Sequence, residues 1–449
     1  MKNNEKTVVV GCSGCGALAA MTIKRIDASR DVTIIREPNE NGLLTRCATP
    51  YICCGDIMVD PSYKDDSMFT GRGIKLVSVS ATGIDRKNKT VITSDGNKFK
   101  YDKLVLAMGA VPSVPPVKGV DLPGVFTLRT SDDAVAILNW INSERIKDVV
   151  LVGGGAIGVE EAYLLQQRGM GVTVVEMAGS LMTGVLDRDM SREIESYMKK
   201  NGINLKFNCK LSGIRGDKNV ESVELDSGEV VDTRMVIIST GARCNASIAG
   251  DAGLELGKHG VRVNEYLRTT DPDIYAGGDI IEYDNHVTGK PGPGRLRPNA
   301  VIAGRVIAKN ILGFKVKYPS FINSFSTKYF DKSIAGAGIT EEEASRQGIE
   351  TITAKQQSTS RHSMMRGRKP YIVKLVFNKK NHCLIGGQII SDSECPVRYI
   401  DVITVAIRCN LKIMDLTTLR LAGQPELSPD PGREPIALAA ESAFDAVYA

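Results

Sequence analysis

Residues 148–176 read DVVLVGGGAIGVEEAYLLQQRGMGVTVVE. A short Val/Leu run ends at three glycines, a helical stretch follows, and a second Val-rich run ends at Glu176. Continuous apolar runs bounded by glycine suit strands buried on both faces of a parallel sheet. Strand, glycine turn, helix and strand together make a βαβ unit. Within it, Gly153-x-Gly155-x-x-Gly158 opens the helix directly after the strand. The first glycine makes the turn, the second lets a pyrophosphate approach the backbone, and the third permits close packing of helix on sheet. The phosphates then lie at the helix N-terminus, where free N–H groups and the dipole favour negative charge. Glu176 is placed to accept the adenosine ribose hydroxyls and to repel a 2′-phosphate, and no Lys or Arg follows it until Arg188. The unit predicts an NAD(H) site that prefers NADH to NADPH.

The same order occurs once more, over residues 7–37. TVVVGCSGCG leads into ALAAMTIKRIDAS and then DVTIIRE. Here the turn is Gly11-x-Ser13-x-x-Gly16, with a serine small enough to admit a dinucleotide, and Glu37 is the ribose acceptor. Cys12 and Cys15 form a C-x-x-C inside this turn; they read as small residues filling a tight bend rather than as a redox pair. Two units predict two nucleotide sites. Between them YDKLVLAMGAVPSVPPVKG reads as a strand ending at Gly109 and a Pro-rich linker, and MVIISTGA (Met235–Ala242) as a matching strand of the second unit. DIYAGGDI (273–280) reads as a strand ending in a Gly-Gly-Asp turn, followed by a helix over 298–312. From about Pro319 the pattern changes to alternating strands and two helices, a separate α+β domain.

The 449 residues exceed one ordinary core, so two or three domains are expected. A net charge of +5 is small for this length and suits an anionic cofactor better than nucleic acid. The denser basic run RHSMMRGRK (361–369) reads as a solvated loop. MKNNEKTVVVGC runs straight into a buried-strand pattern, so no signal peptide is expected, and no apolar window is long enough for a spanning helix. The ten cysteines are scattered through a large chain, which indicates free thiols in a reducing, cytoplasmic compartment. No metal site is expected, and no four-cysteine spacing for an iron–sulfur centre is present.

The segment LLTRCATPYICCGD carries the chemistry. Cys47 lies ten residues after Glu37, where the chain should return toward the first nucleotide site. A helix starting near Cys47 would put the thiol at its positive end, with Arg46 beside it, and Pro50 is compatible with a first turn. Those features favour thiolate, the nucleophile of disulfide and persulfide exchange. Cys53 and Cys54 follow about two turns later, out of disulfide reach of Cys47 in a helix. A single redox thiol is preferred to a dithiol.

In order and spacing these motifs resemble the single-cysteine branch of the pyridine nucleotide-disulfide oxidoreductases. That branch holds coenzyme A-disulfide reductases, NADH-dependent persulfide or polysulfide reductases, and NADH oxidases and peroxidases. The resemblance covers essentially the whole chain. It takes in Gly11–Asp27, the spacing from Glu37 to Cys47 with Pro50-Tyr51, LVLAMGAVP with Met108 where Thr is usual, GGGAIGVE, DIYAGGD, and GGQIISDSECPVRYIDVITVAI near the C-terminus. It implies an α/β fold of two Rossmann-type units and a C-terminal α+β dimerisation domain. An FAD-binding domain would span 1–113 and 244–318, an NAD-binding domain 114–243, and the dimerisation domain 319–449. FAD would meet Gly11, Ser13, Gly14, Gly16, Glu37, Arg46, Ala107, Gly109 and Asp279. NAD would meet Gly153, Gly155, Ile157, Gly158, Glu160, Glu176 and Gly241. The resemblance makes Cys47 the catalytic thiol, with Lys24, Arg25, Pro50 and Tyr51 near the substrate, Lys24 and Arg25 at positions that lie near coenzyme A phosphates in relatives. It also implies a homodimer and a coenzyme A-linked sulfur substrate.

Four departures from the family pattern shape the expectation. Peroxidase-type members carry a histidine in the first glycine turn, where this chain has Gly14, and its histidines (259, 286, 362, 382) lie far away in sequence. That argues against peroxidase or water-forming oxidase chemistry. Ala156 stands where an aromatic residue often covers the flavin. LAGQPELSPDPGREP replaces the Tyr-containing segment usual in coenzyme A-disulfide reductases. The chain ends at Ala449, without room for an appended rhodanese domain. The leading reading is an NADH- and FAD-dependent reductase of a persulfide, polysulfide or coenzyme A-linked disulfide. Two alternatives stay open: an electron-transfer subunit serving a partner such as ferredoxin, and a redox sensor without turnover.

Overall fold

The computed structural model describes residues 5–39, 43, 44, 46–59 and 63–448. The first glycine turn sits on a five-stranded parallel sheet of order Ile274–Ala276, Lys103–Leu106, Lys6–Val10, Asp31–Arg36, Ile74–Ser78. Val9 of the central strand lies in register with Ile34 on one side and Val105 on the other, and all three are buried. Each such side chain is worth about 1.5–3 kcal/mol when fully buried, which is why the unbroken Val/Ile runs settle in the middle of the sheet. The edge strand Ile274–Ala276 arrives from beyond the second unit, so the first sheet is completed by a late segment. Its Gly277-Gly278 turn lands against the first glycine turn; a Cβ on Gly277 would stand 2.8 Å from Cys15 Sγ.

The second parallel sheet has the order Val125–Thr127, Val236–Ile238, Asp148–Val152, Gly171–Glu176, Asn204–Phe207. The two passages of chain between the sheets pair with each other, Ala110–Pro112 antiparallel to Ala242–Cys244. The strand expected over 235–242 is therefore two short strands in different sheets: Val236–Ile238 lies in the parallel sheet, and Gly241, at φ +100°, turns the chain into the crossover. Helix Gly14–Ile26 packs on helix Arg297–Ile311 close enough that a Cβ on Gly304 would fall 2.3 Å from the Cys15 carbonyl oxygen. Only a residue without a side chain fits there.

The C-terminal sheet is antiparallel, in the order Phe325–Tyr329, Lys332–Gly338, Leu384–Ser391, Pro370–Asn378, Thr351–Thr359. Helices Tyr399–Arg408 and Pro435–Tyr448 supply Ile400, Ile403, Ile407, Ile436 and Ala439 to its core. Two further helices, Glu341–Arg346 and Ile413–Thr417, were not anticipated, because one or two turns give the apolar period too little length to register. The RHSMMRGRK run joins two strands of this sheet, and His362 Nε2 within it lies 2.9 Å from Asp430 Oδ2. Among the described residues no helix is long and apolar enough to cross a membrane.

Candidate active site

A cavity of about 340 Å³ lies over the C-terminal ends of the first sheet. Its floor is the first glycine turn. Gly11 has φ +103°, and a Cβ there would strike the Ala107 carbonyl at 2.3 Å. A Cβ on Gly16 would stand 2.0 Å from the Gly11 carbonyl, so helix Gly14–Ile26 starts directly against the turn. Ser13 is the N-cap of that helix but makes no side-chain cap hydrogen bond, which leaves the N-terminal amides open to an anionic ligand.

The cavity wall brings together Gly11, Ser13, Gly14, Glu37, Arg46, Cys47, Pro50, Ala107, Gly109, Ile157, Glu160 and Asp279. These come from both glycine-turn units and from the late Gly-Gly-Asp turn. Glu37 accepts from Ser80 Oγ at 2.5 Å. Cys47 sits in a 3₁₀ turn, Arg46–Ala48, that runs into the short helix Thr49–Cys53, and Thr49 Oγ1 donates to the Arg46 carbonyl at 2.8 Å. Pro50 occupies the first turn of this helix, where its missing N–H costs nothing. Cys47 is exposed, whereas Cys53 and Cys54 are buried with their sulfurs 3.7 Å apart. The hydrogen bond with Cys54 and burial push the Cys53 thiol well above its ordinary range. Burial pushes Cys15 up to about 12, so it is a protonated packing residue. Among the described residues no cysteine is in a disulfide.

Arg129, which the motifs did not single out, organises one side. Its Nη2 donates to Asp279 Oδ2 at 2.9 Å, and Arg46 Nη1 donates to its carbonyl at 3.0 Å. Arg129 is fixed by the start of helix Ser131–Ser143, where Asp133 accepts from the amides of both Arg129 and Thr130 at 2.8 Å. The Thr130-x-x-Asp133 capping box is legible in sequence; that it aims an arginine at Asp279 is not. Arg295 and Arg297 also line the cavity. The Nε atoms of Arg129 and Arg295 are buried without a hydrogen-bond partner, a cost a bound anion or carbonyl would remove. Orphaned guanidinium nitrogens, an uncapped helix start and a glycine cradle fit an FAD here. The Arg46, Arg129, Arg295 and Arg297 side chains would face its negative charge.

The second turn repeats the cradle. Gly153 has φ +114°, a Cβ on Gly158 would stand 2.1 Å from the Gly153 carbonyl, and a Cβ on Gly155 would meet nothing within 4 Å. That open face above Gly155, the uncapped start of helix Ala156–Gln167, fits a pyrophosphate. Glu176 is anchored from both sides: Oε2 accepts from Gly154 N at 2.6 Å and Oε1 from Ala178 N at 2.7 Å. Ile157 and Glu160, one turn along this helix, reach the first cavity instead. Glu160 Oε1 accepts from the Tyr51 phenol at 3.2 Å. Burial raises the Glu160 pKa, and burial together with Glu160 pushes Tyr51 up to about 12.

Of the four residues expected near the substrate, Pro50 lines the first cavity and Tyr51 reaches it through its bond to Glu160. Lys24 Nζ donates to the carbonyls of Ala28 and Arg30 at 2.6 and 3.0 Å, closing the loop after its own helix, and Arg25 is exposed. Neither lines the cavity.

Two parallel-sheet glycine cradles, with an exposed cysteine lining the cavity at the first and the helix of the second reaching that cavity through Ile157 and Glu160, make the fold of a two-nucleotide oxidoreductase. Residues 5–304 match the pyridine nucleotide-disulphide oxidoreductases and residues 324–432 match the dimerisation domain of that family. The chain belongs to this family and is an enzyme that uses FAD and NAD(H). It is 34% identical over 450 residues to an NADH oxidase of Methanocaldococcus jannaschii, covering 98% of each chain. It is 31% identical over 437 residues to the CoA-dependent NAD(P)H sulfur oxidoreductase of Pyrococcus abyssi, covering 96% of each. Its fold matches the NAD-dependent persulfide reductase from A. fulgidus with a TM-score of 0.93 at 31% identity, over 98% of this chain and 83% of that one.

Proposed function

We propose that this chain is an NADH-dependent flavoprotein reductase of a persulfide, polysulfide or coenzyme A-linked disulfide, with Cys47 as its one redox thiol. The observation that carries the reading is the exposed Cys47 thiol in the wall of the cavity framed by the first glycine turn, Asp279 and Glu160. The names of the Pyrococcus and A. fulgidus relatives, a sulfur oxidoreductase and a persulfide reductase, support it.

In this reading a bound FAD would supply two-electron redox chemistry between NADH and sulfur. The protein's part is positional. Gly11, Gly14, Gly16 and the open N-terminus of helix Gly14–Ile26 would hold the FAD pyrophosphate and Glu37 its ribose, with the Arg129–Asp279 pair in the cavity wall. Gly153, Gly155, Gly158 and Glu176 hold NAD(H), and Gly241 shapes the crossover beside it. The Cys47 thiolate attacks one sulfur of the substrate's S–S bond, which breaks to release the other sulfur as a thiolate. Two electrons originating from NADH then break the Cys47–sulfur bond, restoring the Cys47 thiolate and releasing the second sulfur as a thiolate. The division into an FAD-binding domain (1–113 and 244–318), an NAD-binding domain (114–243) and a dimerisation domain (319–449) follows the assignment of the two cradles. The match over residues 324–432 supports a homodimer, and cysteines held outside disulfides support a cytoplasmic location. Coenzyme A recognition rests on the Pyrococcus relative's name; Lys24 closes the loop after its own helix, and Arg25 is exposed. Exchange with a ferredoxin-type partner has no finding behind it.

The test is Cys47→Ser. It should purify with flavin, be reduced by NADH, and lose persulfide and disulfide turnover. Sulfur turnover at the wild-type rate in that variant would refute the reading.

A further inference from the structure

The adenosine ribose of a dinucleotide on the second glycine turn meets Glu176, and a 2′-phosphate on that ribose would extend past Glu176 into the loop that follows. In sequence the first cation after Glu176 is Arg188, twelve residues on and across that loop. The fold returns it to the same place. Strands Gly171–Glu176 and Asn204–Phe207 run parallel, so the helix between them, Arg188–Lys200, begins at the sheet edge where Glu176 ends.

The loop is clamped against the neighbouring strand end. The amides of Cys209 and Asn208 donate to the carbonyls of Glu176 and Ala178 at 3.2 and 3.1 Å. The Glu176 carboxylate holds the Ala178 amide at 2.7 Å. Gly179 comes next and lies against the arginine: a Cβ there would stand 3.8 Å from Arg188 Nη2 and 4.0 Å from Cζ. Ribose acceptor and guanidinium therefore border one short segment, 176–179.

This guanidinium is uncommitted. Arg188 is exposed, and among the described residues its side chain has no hydrogen bond or ion pair. The acids beside it are engaged elsewhere, Asp187 with Gln388 and Lys374, Asp189 with Lys374 and Lys355. Glu195, further along the helix, accepts from the Leu181 amide and Ser191 Oγ. An arginine that neutralises no carboxylate, resting on a glycine beside a ribose site, suits a phosphate, whose oxygens match its planar fork of donors.

We propose that Arg188 is a specificity-determining residue that admits NADPH: its guanidinium receives the adenosine 2′-phosphate beside Gly179 and offsets the repulsion from Glu176. The site then takes both dinucleotides, and Glu176 keeps NADH the preferred one. The nicotinamide end, and the hydride it delivers, are the same for both. The proposal rests on the assignment of the second glycine turn to NAD(H), and not on which sulfur compound is the substrate.

The test follows flavin reduction in FAD-loaded enzyme by anaerobic stopped flow, with no sulfur acceptor present. Wild type should be reduced by both dinucleotides, with the lower Kd for NADH. Arg188→Met should raise Kd for NADPH about tenfold, leave Kd for NADH within about twofold, and leave the limiting reduction rate with either unchanged. Arg188→Lys, which keeps the charge and loses the fork, should recover part of that loss. Arg192→Met removes the same charge from an exposed site one helical turn further along and should leave both constants as they are. As a readout without hydride transfer, 2′-AMP should compete with NADH about tenfold more weakly in Arg188→Met than in wild type. A wild-type flavin that NADPH leaves oxidised, an unchanged NADPH Kd in Arg188→Met, or an equal rise for both dinucleotides in that variant would each overturn the proposal. So would an equal loss of NADPH affinity in Arg192→Met.

Discussion

Lys374 Nζ lies 3.2 Å from Asp187 Oδ2, joining the C-terminal sheet to the helix that follows the NAD-binding unit. Asp187 is the N-cap of helix Arg188–Lys200. Gln388 on the neighbouring strand donates to its Oδ2 at 2.6 Å and accepts from its amide at 2.8 Å. Asp189 at 2.8 Å and Glu341 at 3.1 Å complete the surround of the lysine. Burial works against the ammonium, yet these carboxylates push its pKa up to about 12. Lys374→Met should cost about 3 kcal/mol or more, because Asp187, 3% exposed, keeps a buried charge without its cation. Urea denaturation of the FAD-loaded protein measures this; an unchanged midpoint would show that Gln388 alone satisfies Asp187.

Glu161 predicts a pH dependence of stability. It is fully buried, accepts from Ser239 Oγ at 2.7 Å and leaves Oε1 without a partner. Burial raises its pKa from 4.5 to about 7. Between those values the folded state binds the proton that the unfolded state has released, so stability falls as pH rises from 4.5 to 7 and is flat above. The loss is on the order of 3 kcal/mol. Glu161→Gln should remove this slope and be more stable than wild type at pH 8; denaturation midpoints at pH 5, 6, 7 and 8 decide.

Flavin retention should depend on Arg129. Replacement by Met leaves Asp279, now without its 2.9 Å partner, at the cavity wall. Arg129→Met should weaken FAD binding roughly tenfold, about 1.4 kcal/mol. The ratio of flavin to protein absorbance after dialysis reports it.

Nucleotide choice should follow Glu176. Its two backbone hydrogen bonds hold the carboxylate at the strand end, so charge repulsion of a 2′-phosphate is directional. Glu176→Ser should raise the NADPH-to-NADH ratio of kcat/KM by roughly tenfold or more. An unchanged ratio would place specificity elsewhere.

The sequence by itself determined the two βαβ units, the glycine turns and the cysteine segment. A buried strand run, a three-glycine turn and a helix start each depend on neighbours within a few residues, and period and turn chemistry record them. The same locality explains the failures. A helix of one or two turns leaves no period, and a crossover pairing such as Ala110–Pro112 with Ala242–Cys244 has no local mark. Only the tertiary structure decided which charges meet. Arg129 and Asp279 are 150 residues apart, Tyr51 and Glu160 are 109 apart, and each pair exists because separately encoded elements converge on one cavity. Side-chain partners at that range follow from how whole sheets and helices are stacked, a property of the packed core rather than of any segment.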